Sequence, residues 1–300
     1  MMRWYFLILT LALFFFHPAP AQKFEKLTGL AGYPFGVYFS EGFAERASSI
    51  AGRVERALDY HQRSLDFRPT ITILVLAEAD WGHHTTFPVY GMPHYDDKRK
   101  MLIVAAEDNS FWKSFLPPPE EIPTGLRKDI QKTYTSPGGR VSMQAFFDLL
   151  ALHELGHAFH DQAGLTMQRK WMGELFANIL LHTYIGEREP ENLPALTLFP
   201  RMVIAAGTEG FTYTSLQDIE ERYDEIGERH SNNYGWYQSR WHAAAAEIYD
   251  VTGKRVCRKL WDALKKQTEI LNDRELVVFF KKSGAEPVAN MMLNWDKDKN

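Results

Sequence analysis

The run of residues 146–162, FFDLLALHELGHAFHDQ, constrains this chain more than any other stretch. Its apolar residues Phe146, Leu149, Leu150, Ala151 and Leu155 recur at helical spacing with no proline among them, so the spacing predicts a helix. On a helix, positions i and i+4 stand one above the other on the same face. His153 and His157 can therefore turn both imidazoles toward one point. Glu154, one residue on, projects about 100° around the axis, beside that point and free to handle a proton. Gly156 inside the helix costs about 1 kcal/mol relative to alanine, which makes sense where another backbone or a substrate comes close. The plain alternative is a polar helix face with two surface histidines.

Two imidazoles make a partial cage. Zinc takes a third protein ligand and, where it is catalytic, keeps a fourth position for water. The same helix offers His160 and Asp161. Asp161 lies two turns from His153, about 12 Å along the axis and too far for one coordination sphere. His160 is off the stack. The third ligand must then come from another element, and Glu174 is the best candidate. It opens a second expected helix, Trp171 to about Tyr184, that would return antiparallel after a turn at Gly164. The plain alternative for Glu174 is an acidic residue favoured by the helix dipole. Asn178 stands four residues after Glu174 on the same face, placed to hold the outer nitrogen of a ligating imidazole.

HELGH is the H-E-x-x-H pattern of zinc metallopeptidases. The metzincin branch is excluded, because His160 and Ala163 stand where it needs glycine and histidine. With a downstream glutamate opening a helix and a polar residue four positions later, residues 146–186 resemble the gluzincins, the thermolysin-like and aminopeptidase N-like zinc peptidases. The resemblance implies zinc held by His153, His157 and Glu174, with Glu154 as general base. Two departures bear on the subfamily. The sixteen residues between His157 and Glu174 are fewer than in the best-known members, and Asn178 stands where thermolysin-like enzymes carry aspartate. The resemblance also implies a tyrosine or histidine from the helical part as donor to the oxyanion. Tyr237 is the first choice, with Tyr234 and His230 behind it, and their plain alternative is aromatic core. It further implies an edge strand that pairs with the substrate backbone. Met101–Ala106 is the candidate, and an interior strand is the equal alternative.

The rest of the chain predicts an α+β, zincin-like fold: a small N-terminal mixed sheet with helices over 22–140, a mainly helical part over 141–300, and the metal helix lining the cleft between them. Residues 41–65 keep an apolar helical face, with Ser40 as cap. Short strands are expected at 37–39, 70–76 and 100–106. Residues 81–97 hold His83, His84 and His94 among glycines and prolines, and read as a rim loop rather than a metal site. Residues 116–139 read as a long connection. Further helices are expected near 200–206, 216–226, 237–250 and 256–268, and one opens at Asn272 with a capping box.

Residues 1–21 combine Arg3, an apolar run from Trp4 to Phe16 and the small residues Ala19 and Ala21, which reads as a signal peptide cleaved after Ala21. An uncleaved anchor is the alternative. The expected location is secreted or periplasmic, without a stable membrane span after cleavage. Net charge is −4, or −5 without Arg3, and no basic block is visible, so nucleic acid is not an expected partner. Cys257 is the only cysteine, which excludes a disulfide framework and a cysteine–zinc cluster. The expected partner is a peptide or protein substrate, and the expected activity is zinc-dependent peptide hydrolysis. The rivals are a catalytically idle zinc-binding envelope protein, a zinc hydrolase of a non-peptide substrate, and an envelope binding module in which HELGH is accidental.

Overall fold

The computed structural model describes residues 24–115, 122, 124–135 and 139–297; the expected signal peptide lies outside them. The chain is α+β, mainly helical, with one small mixed sheet. Strands β1 (Thr28–Gly29), β2 (Gly36–Phe39), β3 (Thr72–Leu76), β4 (His94–Asp96) and β5 (Met101–Ala105) form that sheet in the order β1-β2-β3-β5-β4. The parallel strands β2, β3 and β5 form its centre, and β1 and β4 pair antiparallel at its two edges. Every residue of β5 is buried, as its unbroken apolar run MLIVA requires. Met101–Ala105 is therefore interior, which corrects its assignment as the edge strand. On that side of the sheet the edge strand is the three-residue β4.

Helix α1 (Ala44–Leu65) lays its apolar face on the sheet and on the helices that follow. It starts later than expected because Ser40 is committed elsewhere: its Oγ accepts the N–H of Ala77, 2.9 Å away. The histidine-bearing segment contains α2 (Glu78–His84), so only part of it is loop. There His94 engages Thr85 Oγ1 at 2.7 Å and the Met92 carbonyl at 3.0 Å, and His83 is exposed. A short α3 (Ser110–Ser114) follows. The expected long connection holds α4 (Thr124–Tyr134), with Ile130 and Tyr134 buried. The Tyr134 hydroxyl donates to Ala195 O at 2.8 Å and accepts from Phe199 N at 3.1 Å.

The predicted single helix over 146–162 is two: α5 (Gln144–Phe147) and α6 (Leu150–Gln162). Between them the turns tighten, with the N–H of Leu149 bonded to Phe146 O and that of Leu152 to Leu149 O. Asp148 at the break is gripped by Arg46 from α1 at 2.6 and 2.9 Å, and the same guanidinium reaches Ala105 O at the end of β5. At the other end of α6, Gln162 bonds Thr70 and the Tyr95 hydroxyl of β4. The helix is thus fastened to the sheet at both ends.

The remaining α-helices among the described residues are α7 (Met172–Arg188), α8 (Leu193–Ala205), α9 (Leu216–Glu221), α10 (Tyr223–Arg229), α11 (Ser231–Thr252), α12 (Arg255–Lys266), α13 (Asp273–Lys282) and α14 (Glu286–Asn294). The Asn272 capping box of α13 is present. The expected acidic helix over 216–226 is interrupted at Arg222, and α14 was not foreseen. Helix α7 is buried along Met172–Ile185, where it packs between α6 and α11.

Candidate metal centre

The metal-site geometry starts from how closely α6 and α7 approach. Contacts between them run in opposite order, 153 with 178, 156 with 177 and 160 with 173, so the helices are antiparallel. Gly156 allows the approach: a β-carbon built there would lie 2.6 Å from the Ala177 Cα. The glycine therefore serves packing against a neighbouring backbone. One turn along α7 from that contact, the first turn of the helix carries Glu174 to the two histidines.

His153 Nε2, His157 Nε2 and Glu174 Oε2 form a triangle. The two nitrogens are 3.0 Å apart, and Oε2 lies 3.1 Å from one and 3.6 Å from the other. A four-coordinate ion with bonds of about 2.0–2.1 Å spaces its ligand atoms about 3.3 Å apart. The three atoms thus match one face of such a tetrahedron, and this group could hold a metal ion. His153 and Glu174 are buried, and the His157 side chain is 19 % exposed.

Outer contacts orient each of the three. Asn178 Oδ1 lies 2.9 Å from His153 Nδ1. A carbonyl oxygen only accepts, so His153 donates from Nδ1 and keeps the Nε2 lone pair for the triangle. His160 does the same for His157, with His160 Nε2 at 3.0 Å from His157 Nδ1. Burial and the neighbouring His157 push the His160 pKa down to about 3, so its ring is neutral and can accept. Glu174 is gripped at both oxygens. Tyr223 donates to Oε1 at 2.6 Å, and Gln238 Nε2 donates to Oε2 at 2.9 Å.

Burial pushes the Glu174 carboxyl up, but His157 and His153 outweigh it and hold it well below the usual carboxylate range. Burial pushes the His157 imidazole down, and Glu174 reverses this, raising it to about 9. The hydroxyls of Tyr223 and Tyr234 are buried beside the Glu174 charge, which drives both far above the ordinary phenol range and keeps them protonated.

Glu154 is 7 % exposed, and among the described residues nothing donates a hydrogen bond to its carboxylate. It lies close enough for its charge to raise the pKa of both His157 and Tyr234.

Tyr237 is not at this site. Its hydroxyl donates to Ser215 O at 2.8 Å, and its ring stacks on Trp295 at 6.0 Å and Trp241 at 5.8 Å. It sits about 60° around α11 from Tyr234 and about 100° from Gln238. The structure thus does not bring the Tyr237 hydroxyl to the triangle. His230 precedes α11 and packs edge-on against Tyr213 at 5.3 Å. Tyr234 does reach the centre: its hydroxyl accepts from Gln238 Nε2 at 2.8 Å and lies 3.1 Å from the Tyr223 hydroxyl. Sequence reasoning missed Tyr223, Gln238 and the orienting role of His160. Spacing held two of these signals, since Gln238 follows Tyr234 by four residues and His160 follows His157 by three. Tyr223 had none, because its approach depends on how the short helix α10 is placed.

No family model matches the chain, and no curated protein or solved structure matches it either.

Proposed function

We propose that the chain is an exported zinc-dependent peptidase of gluzincin type, with the metal helix α6 between the sheet and the helical part. The supporting observation is a pairing: a three-atom ligand triangle, and on the next residue of the same helix an almost buried carboxylate to which nothing among the described residues donates a hydrogen bond. A structural metal site has no use for such a group. Two imidazoles and one carboxylate suit zinc, and they leave the bound ion one net positive charge.

Bound zinc supplies Lewis acidity, polarising a carbonyl and lowering the pKa of water toward about 7. The protein's own residues do the rest. His153, His157 and Glu174 hold the ion, and Asn178 and His160 fix the two imidazoles with Nε2 inward. Glu154 takes the proton of the attacking water on its carboxylate and returns it to the leaving nitrogen. Strand β4, the edge strand fastened to α6 through Tyr95, offers backbone groups to an extended peptide.

The test is Glu154→Gln, assayed for zinc content and for hydrolysis of a labelled unfolded protein. Full zinc with turnover down at least about 100-fold is expected, the lower end for losing a general base. Unchanged turnover would remove Glu154 from the reaction.

A further inference from the structure

Glu174 has two oxygens, and the triangle uses one. Oε2 faces the two imidazole nitrogens, whereas Oε1 is turned to the Tyr223 hydroxyl at 2.6 Å. A carboxylate free to rotate could bring both oxygens to one ion, because carboxylates bind metals through one oxygen or two. Here the rotation is opposed from both sides, since Gln238 holds Oε2 at 2.9 Å while Tyr223 holds Oε1.

The Tyr223 hydroxyl is itself held. Gln238 donates to Tyr234 at 2.8 Å, which leaves the Tyr234 proton to be donated to the Tyr223 oxygen at 3.1 Å, and the Tyr223 proton to go to Glu174. The donors thus run in one direction, Gln238 to Tyr234 to Tyr223 to Glu174, and they end on an ionised acceptor, where hydrogen bonds are strongest. Gln238 closes the loop by also bonding Oε2.

The geometry points to Tyr223 as the residue that keeps Glu174 a one-oxygen ligand, and so keeps the ion four-coordinate, with three protein atoms and one place for water. Tyr223 is a positioning residue on this account: it acts through Glu174 and touches neither ion nor substrate. The inference rests on the metal-centre reading above.

The experiment uses full-length mature protein, stripped of metal and reloaded with zinc or with cobalt(II), whose visible spectrum is intense when four-coordinate and weaker when five-coordinate. Tyr223→Phe keeps the ring and removes only the donor. Its zinc affinity should fall about 10- to 100-fold, the usual cost of losing a partner of a metal ligand. Its cobalt spectrum should lose intensity, as Oε1 swings in and takes the fifth place. Tyr234→Phe, one link further back, should give smaller changes in the same direction. Tyr237→Phe, whose hydroxyl is spent on Ser215, should change neither reading.

A Tyr223→Phe protein with wild-type zinc affinity and cobalt spectrum overturns the inference while leaving the metal centre standing. The same holds if only turnover falls, because that would make Tyr223 a donor to substrate. A wild-type protein that takes up neither zinc nor cobalt overturns the metal centre and this inference with it. Metal-free melting of each variant checks that the fold persists.

Discussion

Replacing Gly156 by alanine sets two well-understood effects against each other. Helix propensity alone predicts a gain of about 1 kcal/mol, since alanine is the better helix former. Packing predicts the reverse. The new methyl would sit 2.6 Å from the Ala177 Cα and 2.9 Å from its Cβ. Carbon atoms rest at about 3.5–4.0 Å, so α6 and α7 would have to part by about 1 Å. The obstacle is backbone, which no rotamer change relieves, and overpacking of this kind costs about 1–3 kcal/mol. The expected net is a modest loss of stability. The effect on the metal is larger, because Glu174 rides on α7 and the imidazoles on α6. Moving them apart by about 1 Å takes the 3.1 Å edge past the roughly 3.3 Å spacing of a shared coordination sphere and carries the 3.6 Å edge still further from it. Zinc affinity should fall by at least about 100-fold, the upper end of what disturbing an outer partner does. Competition against a chromogenic chelator reads the affinity, and thermal melting with and without chelator reads the stability. A variant that melts higher than wild type and binds zinc equally well would refute the claim that this contact sets the ligand geometry.

Other outcomes follow from the same structure. Asn178→Leu removes the acceptor at His153 Nδ1 and should weaken zinc binding about 10- to 100-fold, measured by the same competition; unchanged affinity would show that His153 needs no such partner. Saturating zinc at about 100 times its dissociation constant should stabilise the fold by about 2.7 kcal/mol, so chelation should lower the melting temperature by a few degrees. His61 is buried, and burial lowers its pKa to about 3 against 6.5 for the free side chain. The folded state therefore binds fewer protons than the unfolded one below pH 6.5, and stability is lost as the pH falls from 6.5 toward 3. In chelator, His61→Leu should remove about 2 kcal/mol of that loss at pH 5, read by urea unfolding at pH 7 and pH 5. An unchanged pH dependence would mean that His61 charges without opening the fold.

Much of the centre could be read from spacing, because helices convert sequence offsets into fixed angles. The 153/157 pair and the 174/178 pair each lie within one helix, so their shared faces followed directly from periodicity. That the two pairs meet depended on a short connection and on Gly156, whose cost in a helix already called for a close neighbour. Features governed by distant contacts escaped. Tyr237 and Tyr234 are three residues apart on α11, and only the packing of Trp241 and Trp295 decides which of them faces the core. Met101–Ala105 is an interior strand because three residues at 94–96 turn back alongside it, a pairing too short to leave a pattern. Helix α4 did carry a signal in Leu126, Ile130 and Tyr134 at spacings of four, hidden among the breakers on either side. Ser40 failed as a cap because its hydroxyl was taken by Ala77, thirty-seven residues away in sequence.

The central claim is that side chains from two antiparallel helices converge on one divalent cation. Anomalous diffraction at the zinc absorption edge, from crystals of the mature protein grown with zinc, tests it most directly. The account predicts one strong peak about 2.0–2.2 Å from His153 Nε2, His157 Nε2 and Glu174 Oε2. Zinc seated elsewhere, or a Glu174 carboxylate turned away from the two imidazoles, would contradict it.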